Sequence, residues 1–270
     1  MKLISEKQAE EIARLETRLI DFYNTCKVYP AFSRPSEYPD LWQQVLRVAG
    51  QINRERGSCR ILEIGAGRSG FGDFLKNSAK SEGVHLTSQD ITATNVEFLR
   101  GTSDAVVTDN LDRLQGTWDV IFHSYAYEHL CRPREFNETI WGHLSVGGYL
   151  LIQCPRYDFP LYFPPCFDHL PITKKLWHAF GLAGSDLVSM VSSQPKFTVF
   201  SDPAVFHLPF HRDRDAVHRV RRSDIRLLFA NRAQISDFSV AAGGMKDWIV
   251  KNLLTLRIIL RKTSSTAERK

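Results

Sequence analysis

The 270-residue sequence predicts an α/β fold: a seven-stranded, mostly parallel sheet with helices on both faces, an N-terminal helical cap and an aromatic-rich lid insertion. Three observations carry that expectation. Between Cys59 and Cys154, short apolar runs alternate with helical patterns, the order that βαβ units require. The first run feeds a glycine-rich turn, Gly65-Ala66-Gly67-Arg68-Ser69-Gly70, which opens a helix. The flanks differ in texture, with charged amphipathic segments before the core and an aromatic, proline-rich stretch after it. The divisions expected are 1–57 (cap), 58–155 (sheet core), 156–220 (lid) and 221–270 (completion of the sheet).

Residues 5–23 space Ile12, Leu15, Leu19 and Phe22 three or four apart among charges, as an amphipathic helix does. Three prolines in 29–39 mark a loop. Asp40 can cap a second helix to about residue 54, with Leu41, Val45 and Val48 on one face. Strands are expected at 60–64, 85–89, 105–107, 120–122 and 149–152, with helices at 70–80, 95–100 and 134–144 between them. After Pro155, eleven of the thirty aromatics fall by residue 210, among seven prolines, which suits an inserted lid better than a regular βα unit. Ser223 can cap a helix through 231, and 238–241 and 256–261 supply two further strands. Over 245–262, Val250, Leu254 and Ile258 interrupt the charged arc that a helix lying on a membrane would present, so a helix followed by a strand is expected.

Apolar residues at 43% and charged residues at 24% exclude a largely disordered or collagen-like chain. No apolar run approaches the roughly 20 residues of a membrane-spanning helix, and the first ten residues hold no secretory apolar region. Five scattered cysteines without a Cys-x-x-Cys pair point to reduced thiols and a cytoplasmic protein. The net charge of +5, from 35 basic and 30 acidic residues, is small for a nucleic-acid binder. Six arginines and three aspartates crowd into 212–226. They read either as local Asp–Arg pairs or as a clamp for an anionic group on a substrate.

The chemistry begins at Ile61-Leu62-Glu63-Ile64-Gly65-Ala66-Gly67. Gly65 and Gly67 allow positive φ and close approach of a ligand to backbone. By itself the glycine pattern is shared with dinucleotide-binding enzymes. Glu63 is the discriminating residue, because a carboxylate within a strand covered on both faces is costly unless a cation meets it. A ligand with an amino group supplies that cation, whereas the pyrophosphate of a nicotinamide dinucleotide opposes it. Asp90, closing the second strand, can accept two ribose hydroxyls. Asp109, after the third strand, can accept from an adenine amino group. The fourth strand runs into His123-Ser124-Tyr125-Ala126-Tyr127-Glu128-His129-Leu130, and a Gly147-Gly148 turn precedes the fifth.

With these motifs in this order, residues 58–155, and more loosely 220–262, resemble class I S-adenosylmethionine-dependent methyltransferases. The subgroup of small-molecule enzymes that includes the ubiquinone-pathway O-methyltransferases is the most similar. The resemblance implies a Rossmann-like core and S-adenosyl-L-methionine as cofactor. By position it implies that Glu63, Gly65, Ala66 and Gly67 hold the methionine end, that Asp90 binds the ribose and Ile91 packs on adenine, and that Asp109 and Asn110 read the adenine edge. It places His123 and Tyr125 beneath the sulfonium. Some relatives hold a divalent cation around this turn. Glu128 and His129 stand at two of those positions, but Tyr125 occupies that of another acid, so no metal is expected. His169, in the lid, and then His129 are the candidate bases for a hydroxyl or amine acceptor. The expected partner is a small molecule, aromatic or otherwise apolar and with an anionic group if the arginines act as a clamp. Neither nucleic acid nor integral membrane association is expected. An NAD(P)-dependent oxidoreductase and a non-catalytic cofactor-binding relative are the alternatives.

Overall fold

In the computed structural model, residues 6–25, 39–79, 81–108, 111, 114–159, 161–201 and 216–263 are described. The strands are β1 (Cys59–Ile64), β2 (Val84–Asp90), β3 (Ala105–Thr108), β4 (Trp118–Ser124), β5 (Leu144–Pro155), β6 (Val199–Ser201), β7 (Ala216–His218), β8 (Ala233–Asp237) and β9 (Thr255–Lys262). The helices are α1 (Glu6–Thr25), α2 (Pro39–Arg56), α3 (Phe71–Lys76), α4 (Val96–Thr102), α5 (Pro133–His143), α6 (Ile172–Ser192), α7 (Arg222–Phe229) and α8 (Met245–Trp248). Seven strands form one sheet in the order β3-β2-β1-β4-β5-β9-β8, and β6 pairs with β7 in a separate hairpin. The pairings from β3 through β5 are parallel, whereas β9 runs antiparallel to both β5 and β8.

Strand side chains alternate between the two faces of the sheet. Ile61, Phe122, Leu151 and Ile259 join Leu41, Trp42 and Val45 of α2 on one face. Leu62, Ile121, Ile152 and Ile258 join Ile140 and Trp141 of α5 and Ile225 and Phe229 of α7 on the other. Burial on both faces is why these strands read as continuous apolar runs in the sequence. The Gly147-Gly148 pair lies within β5, where the register with β4 shifts between Trp118 and Val120. A Cβ at Gly148 would lie 2.7 Å from the Asp119 carbonyl oxygen, so the irregularity needs glycine. Lys262, buried at the end of β9, donates to the carbonyl oxygens of Trp141 (2.6 Å) and Leu144 (2.7 Å), tying the last strand to the end of α5.

Three local expectations are corrected. The helix expected at 70–80 ends at Lys76, where the Asn77 side chain donates to the Asp73 carbonyl oxygen and competes with the helix. Ser223 does not cap α7; it lies inside the first turn and accepts from Arg221 Nη2 at 3.1 Å. The strand expected at 238–241 is Ala233–Asp237 instead, an edge strand whose polar Gln234 and Ser236 are tolerated because one side faces water. Val240 belongs to a loop held by Asn252, which accepts its N–H at 3.0 Å and donates to its carbonyl oxygen at 3.2 Å. The stretch 156–220 contains α6 and the β6–β7 hairpin. Much of its aromatic content is its own small core: Tyr157 and Phe167 pack with Tyr162, Phe163 and Phe200. Trp177 and Phe180 are exposed on α6, and Phe206 and Phe210 lie outside the described residues. The helix-then-strand expectation for the last segment matches α8, the π turn Ile249–Leu253 and β9. Among the described residues no helix is long and apolar enough to cross a membrane. Cys59, Cys131, Cys154 and Cys166 are buried and, among the described residues, outside any disulfide.

Candidate functional site

Strand order reverses between β1 and β4, the switch point at whose C-terminal edge open α/β sheets place a ligand crevice. Gly65 and Gly67 turn the chain at φ +61° and +57°. A Cβ on Gly65 would fall 2.6 Å from that of Ala126, so the turn nests against the loop after β4 only because glycine is there. The second strand holds this turn in place. The Ala66 N–H donates to the Gln89 carbonyl oxygen (2.9 Å), that of Gly65 to Gln89 Oε1 (3.2 Å) and that of Gly67 to Asp90 Oδ2 (2.7 Å). Asp90 Oδ1 also accepts the Thr92 N–H at 3.0 Å, and Asn95 Nδ2 lies 3.4 Å from Oδ2. Asp90 therefore organises the glycine turn. Burial raises its pKa, an effect these donors oppose.

Glu63 is 3% exposed, in the middle of the sheet. Alternation with Leu62 and Ile64 places it on the α2 face. It hydrogen-bonds with Ser69, whose Oγ also accepts the Phe71 N–H (3.1 Å) at the start of α3. Burial, aided by the nearby Asp90 charge, pushes its pKa up to about 8, and among the described residues no cation pairs with it. Arg68 instead lies over the Phe98 ring, 5.1 Å from its centroid. Ile91 is 40% exposed and Tyr125 36%, large apolar surfaces just beyond β2 and β4. Tyr125 adopts φ +52° and donates its N–H to the Gln153 carbonyl oxygen at 2.8 Å, a strained turn of the kind found beside binding sites. Ala66 is buried beneath the turn. Asp109 and Asn110 lie outside the described residues.

His123, expected on the crevice floor, faces the other way. The alternation that sends Phe122 to the α2 face puts the His123 ring on the α5 face, fully buried and stacked on Tyr127 at 4.9 Å. Among the described residues neither ring nitrogen has a hydrogen-bond partner, and burial pushes its pKa down to about 3. Tyr127 accepts a 2.6 Å hydrogen bond from Asn137 Nδ2 and meets the buried ring of His218, from β7, edge-on at 4.9 Å. Burial also pushes His218 down to about 3. Glu128 is buried on the same turn, 3.9 Å from Nε2 of the partly exposed His129. Among the described residues, no three His, Cys, Asp or Glu side chains gather as a metal site. His169 is exposed, beyond the short helical turn Pro165–Phe167, and its neighbour Asp168 lies 4.0 Å from Lys175. The arginines of 212–226 are engaged where described. Arg226 and Arg222 meet Asp237 at 2.7 and 3.4 Å, Arg221 meets Asp224 at 3.5 Å, and Arg219 Nε donates to the Tyr157 carbonyl oxygen at 3.1 Å. Arg212 and Arg214 lie outside the described residues. Residue type alone did not single out Gln89 or Gln153, whose carbonyl oxygens hold the turns after β1 and β4. Only Gln89 carried a signal, its place immediately before Asp90.

No protein-family model matches the chain, and no curated protein matches it. Solved structures do. A structure named as an S-adenosylmethionine-dependent methyltransferase from Listeria monocytogenes has a TM-score of 0.53 at 14% identity, covering 83% of this chain and 98% of its own. This is the Rossmann-like methyltransferase fold. Two further structures align over most of their length with lower scores. The 1,6-didemethyltoxoflavin-N1-methyltransferase of Burkholderia thailandensis, bound to its namesake substrate and S-adenosylhomocysteine, has a TM-score of 0.48 at 13% identity, covering 98% of this chain and 93% of its own. An S-adenosylmethionine-dependent methyltransferase from Mesorhizobium loti has a TM-score of 0.48 at 14% identity, covering 84% of this chain and 97% of its own.

Proposed function

We propose that this chain transfers a methyl group from S-adenosyl-L-methionine to a hydroxyl or amine of a small molecule. The observation that carries the reading is Glu63: a buried carboxyl beside a left-handed glycine turn, paired with no cation among the described residues. An amino-acid ammonium answers it, whereas the pyrophosphate of a nicotinamide dinucleotide would add like charge. In this reading the backbone of Gly65, Ala66 and Gly67 receives the methionine end, Asp90 and its pinned loop receive the ribose, and exposed Ile91 covers one face of the adenine.

The cofactor, when bound, supplies an electrophilic methyl group. The chain's contribution is mostly to hold acceptor and methyl in line and exclude water. Tyr125 and the loop after β4 would form the wall beside the transfer, and His169 or His129 would take the acceptor's proton.

Calorimetric titration tests the proposal. S-adenosylhomocysteine is expected to bind and NAD⁺ not to bind. Glu63→Gln should weaken the former about 10- to 100-fold, the range of a charge-assisted hydrogen bond. Binding of NAD⁺ in preference would overturn the reading.

A further inference from the structure

We propose that Arg257 is the anion-recognition residue of the acceptor side of this crevice, and that the methyl acceptor carries a carboxylate. The inference rests on the methyl-transfer reading above and adds the acceptor's chemical class.

Its place comes first. Arg257 lies opposite Gln153 in the β5–β9 register, near the edge of the sheet where the crevice opens. Leu256 and Ile258 belong to the α5-face core, so alternation puts Arg257 on the α2 face, the face of Glu63. Tyr125 ties this corner to the end of β4. Its N–H donates to the Gln153 carbonyl oxygen, its phenol hydrogen-bonds with Thr255, and it lies close enough to interact electrostatically with Arg257.

Its state comes second. Arg257 is 6% exposed, and its Nε donates to Gln153 Oε1 at 2.9 Å. Among the described residues, its buried Nη1 has no hydrogen-bond partner. Arg156, Arg221, Arg226 and Arg232 each meet a carboxylate within 4 Å, yet among the described residues none does so for Arg257. Three acidic or phenolic groups act on its charge from farther away: Tyr125, Asp40 in the first turn of α2, and Asp247 before the π turn. Asp247 is itself exposed and already bonded to Lys251 and to the Gly243 N–H.

A buried guanidinium held by one neutral acceptor is costly, and its planar fork matches a carboxylate. A phosphate dianion suits the corner less well, because one arginine faces it and Asp40 and Asp247 reduce the local positive field. The crevice thus offers a carboxyl, Glu63, at one end and a cation, Arg257, at the other, with the end of β4 between them. An acceptor anchored by its carboxylate at Arg257 would present its hydroxyl or amine back toward that midpoint. The arginines of the lid, engaged with protein partners where described, do not supply this charge.

The test uses protein saturated with S-adenosylhomocysteine, titrated with benzoate and with its neutral isostere benzamide at pH 7. Benzoate is expected to bind at least tenfold tighter. Arg257→Gln should abolish that preference while leaving S-adenosylhomocysteine affinity unchanged, and Arg257→Lys should retain part of it. Equal affinities, no benzoate binding, or a preference that survives Arg257→Gln overturns the proposal. If Arg257→Gln does not fold, the wild-type comparison alone decides. Failure of S-adenosylhomocysteine to bind would instead overturn the methyl-transfer reading, and the benzoate comparison on the unliganded protein would still report on Arg257.

Discussion

Gly65 shows how one missing atom shapes the crevice. Its φ of +61° disfavours any side chain, and a methyl group there would collide with Ala126 across the switch point. Gly65→Ala should therefore cost about 2 kcal/mol in stability. It should also reduce S-adenosylhomocysteine affinity at least tenfold, read by thermal melting and calorimetry together. Loss of stability with unchanged affinity would show that the turn does not contact the ligand. A second residue-scale prediction concerns proton removal. His169→Gln should lower turnover about 10²-fold, the smaller end of general-base contributions, with S-adenosylhomocysteine affinity unchanged; product release measured on hydroxylated carboxylates would show it. Glycines and buried acids were legible in the sequence because their chemistry is local. The orientation of His123 was not, because it depends on which strand residues face α5, and the loss of Asp90's lone pairs to backbone donors depends on a loop folding back. Arg257 was invisible for a related reason. In Leu256-Arg257-Ile258 it looked like an ordinary polar position of an alternating strand.

The elements that frame the crevice are joined to it by α1. Leu19 of that helix packs with Cys131 beyond β4, while Thr94 Oγ1 donates to the Tyr23 carbonyl oxygen at 3.2 Å and Arg132 Nε to Glu16 at 2.9 Å. One helix thus bridges the loop after Asp90 and the turn after β4, both at the C-terminal edge of the parallel strands. Leu19→Ala should cost about 2 kcal/mol and, unlike a remote core deletion, weaken S-adenosylhomocysteine binding in proportion. An equal destabilisation without any change in affinity would reduce α1 to a covering helix. The helix itself was legible, since Ile12, Leu15, Leu19 and Phe22 mark its buried stripe; its attachment to Thr94 and Arg132 was not, because those contacts span more than seventy residues. The parallel strands were legible for the opposite reason to β8. Coverage on both faces writes an apolar run into β1 and β4, whereas an edge strand can be as polar as Ala-Gln-Ile-Ser-Asp and yield its place on paper to the more apolar loop beside it.

Across the whole molecule, the buried titratable groups set a pH profile of stability with a definite shape. His123 and His218 titrate near 6.5 when unfolded and about 3 when folded, so the unfolded chain binds more protons as pH falls below 6.5. Each histidine then removes about 1.4 kcal/mol per pH unit, and this loss continues down to about pH 3. Glu63 acts in the reverse sense. Its folded value of about 8 exceeds its unfolded 4.5, so its contribution is complete below 4.5 and declines by a similar slope as pH rises to about 8. Asp90, also raised, has the same sign. Between 4.5 and 6.5 the two histidines outweigh Glu63, and above 6.5 Glu63 acts without them. The unliganded protein should therefore melt highest near pH 6.5 and less stably at both 5 and 8. Three variants of condition separate the limbs. Glu63→Gln should flatten the decline from 6.5 to 8. His218→Gln should remove about half of the histidine slope. Saturating S-adenosylhomocysteine should lift the alkaline limb most, because its ammonium meets an ionised Glu63 there, and binding near pH 7 should release a proton detectable by titration in buffers of different ionisation enthalpy. A melting temperature that climbs steadily from pH 6.5 to 8 without ligand would mean that Glu63 is already neutralised by a cation within the chain, and the crevice would lose the charge that calls for an amino-acid ammonium.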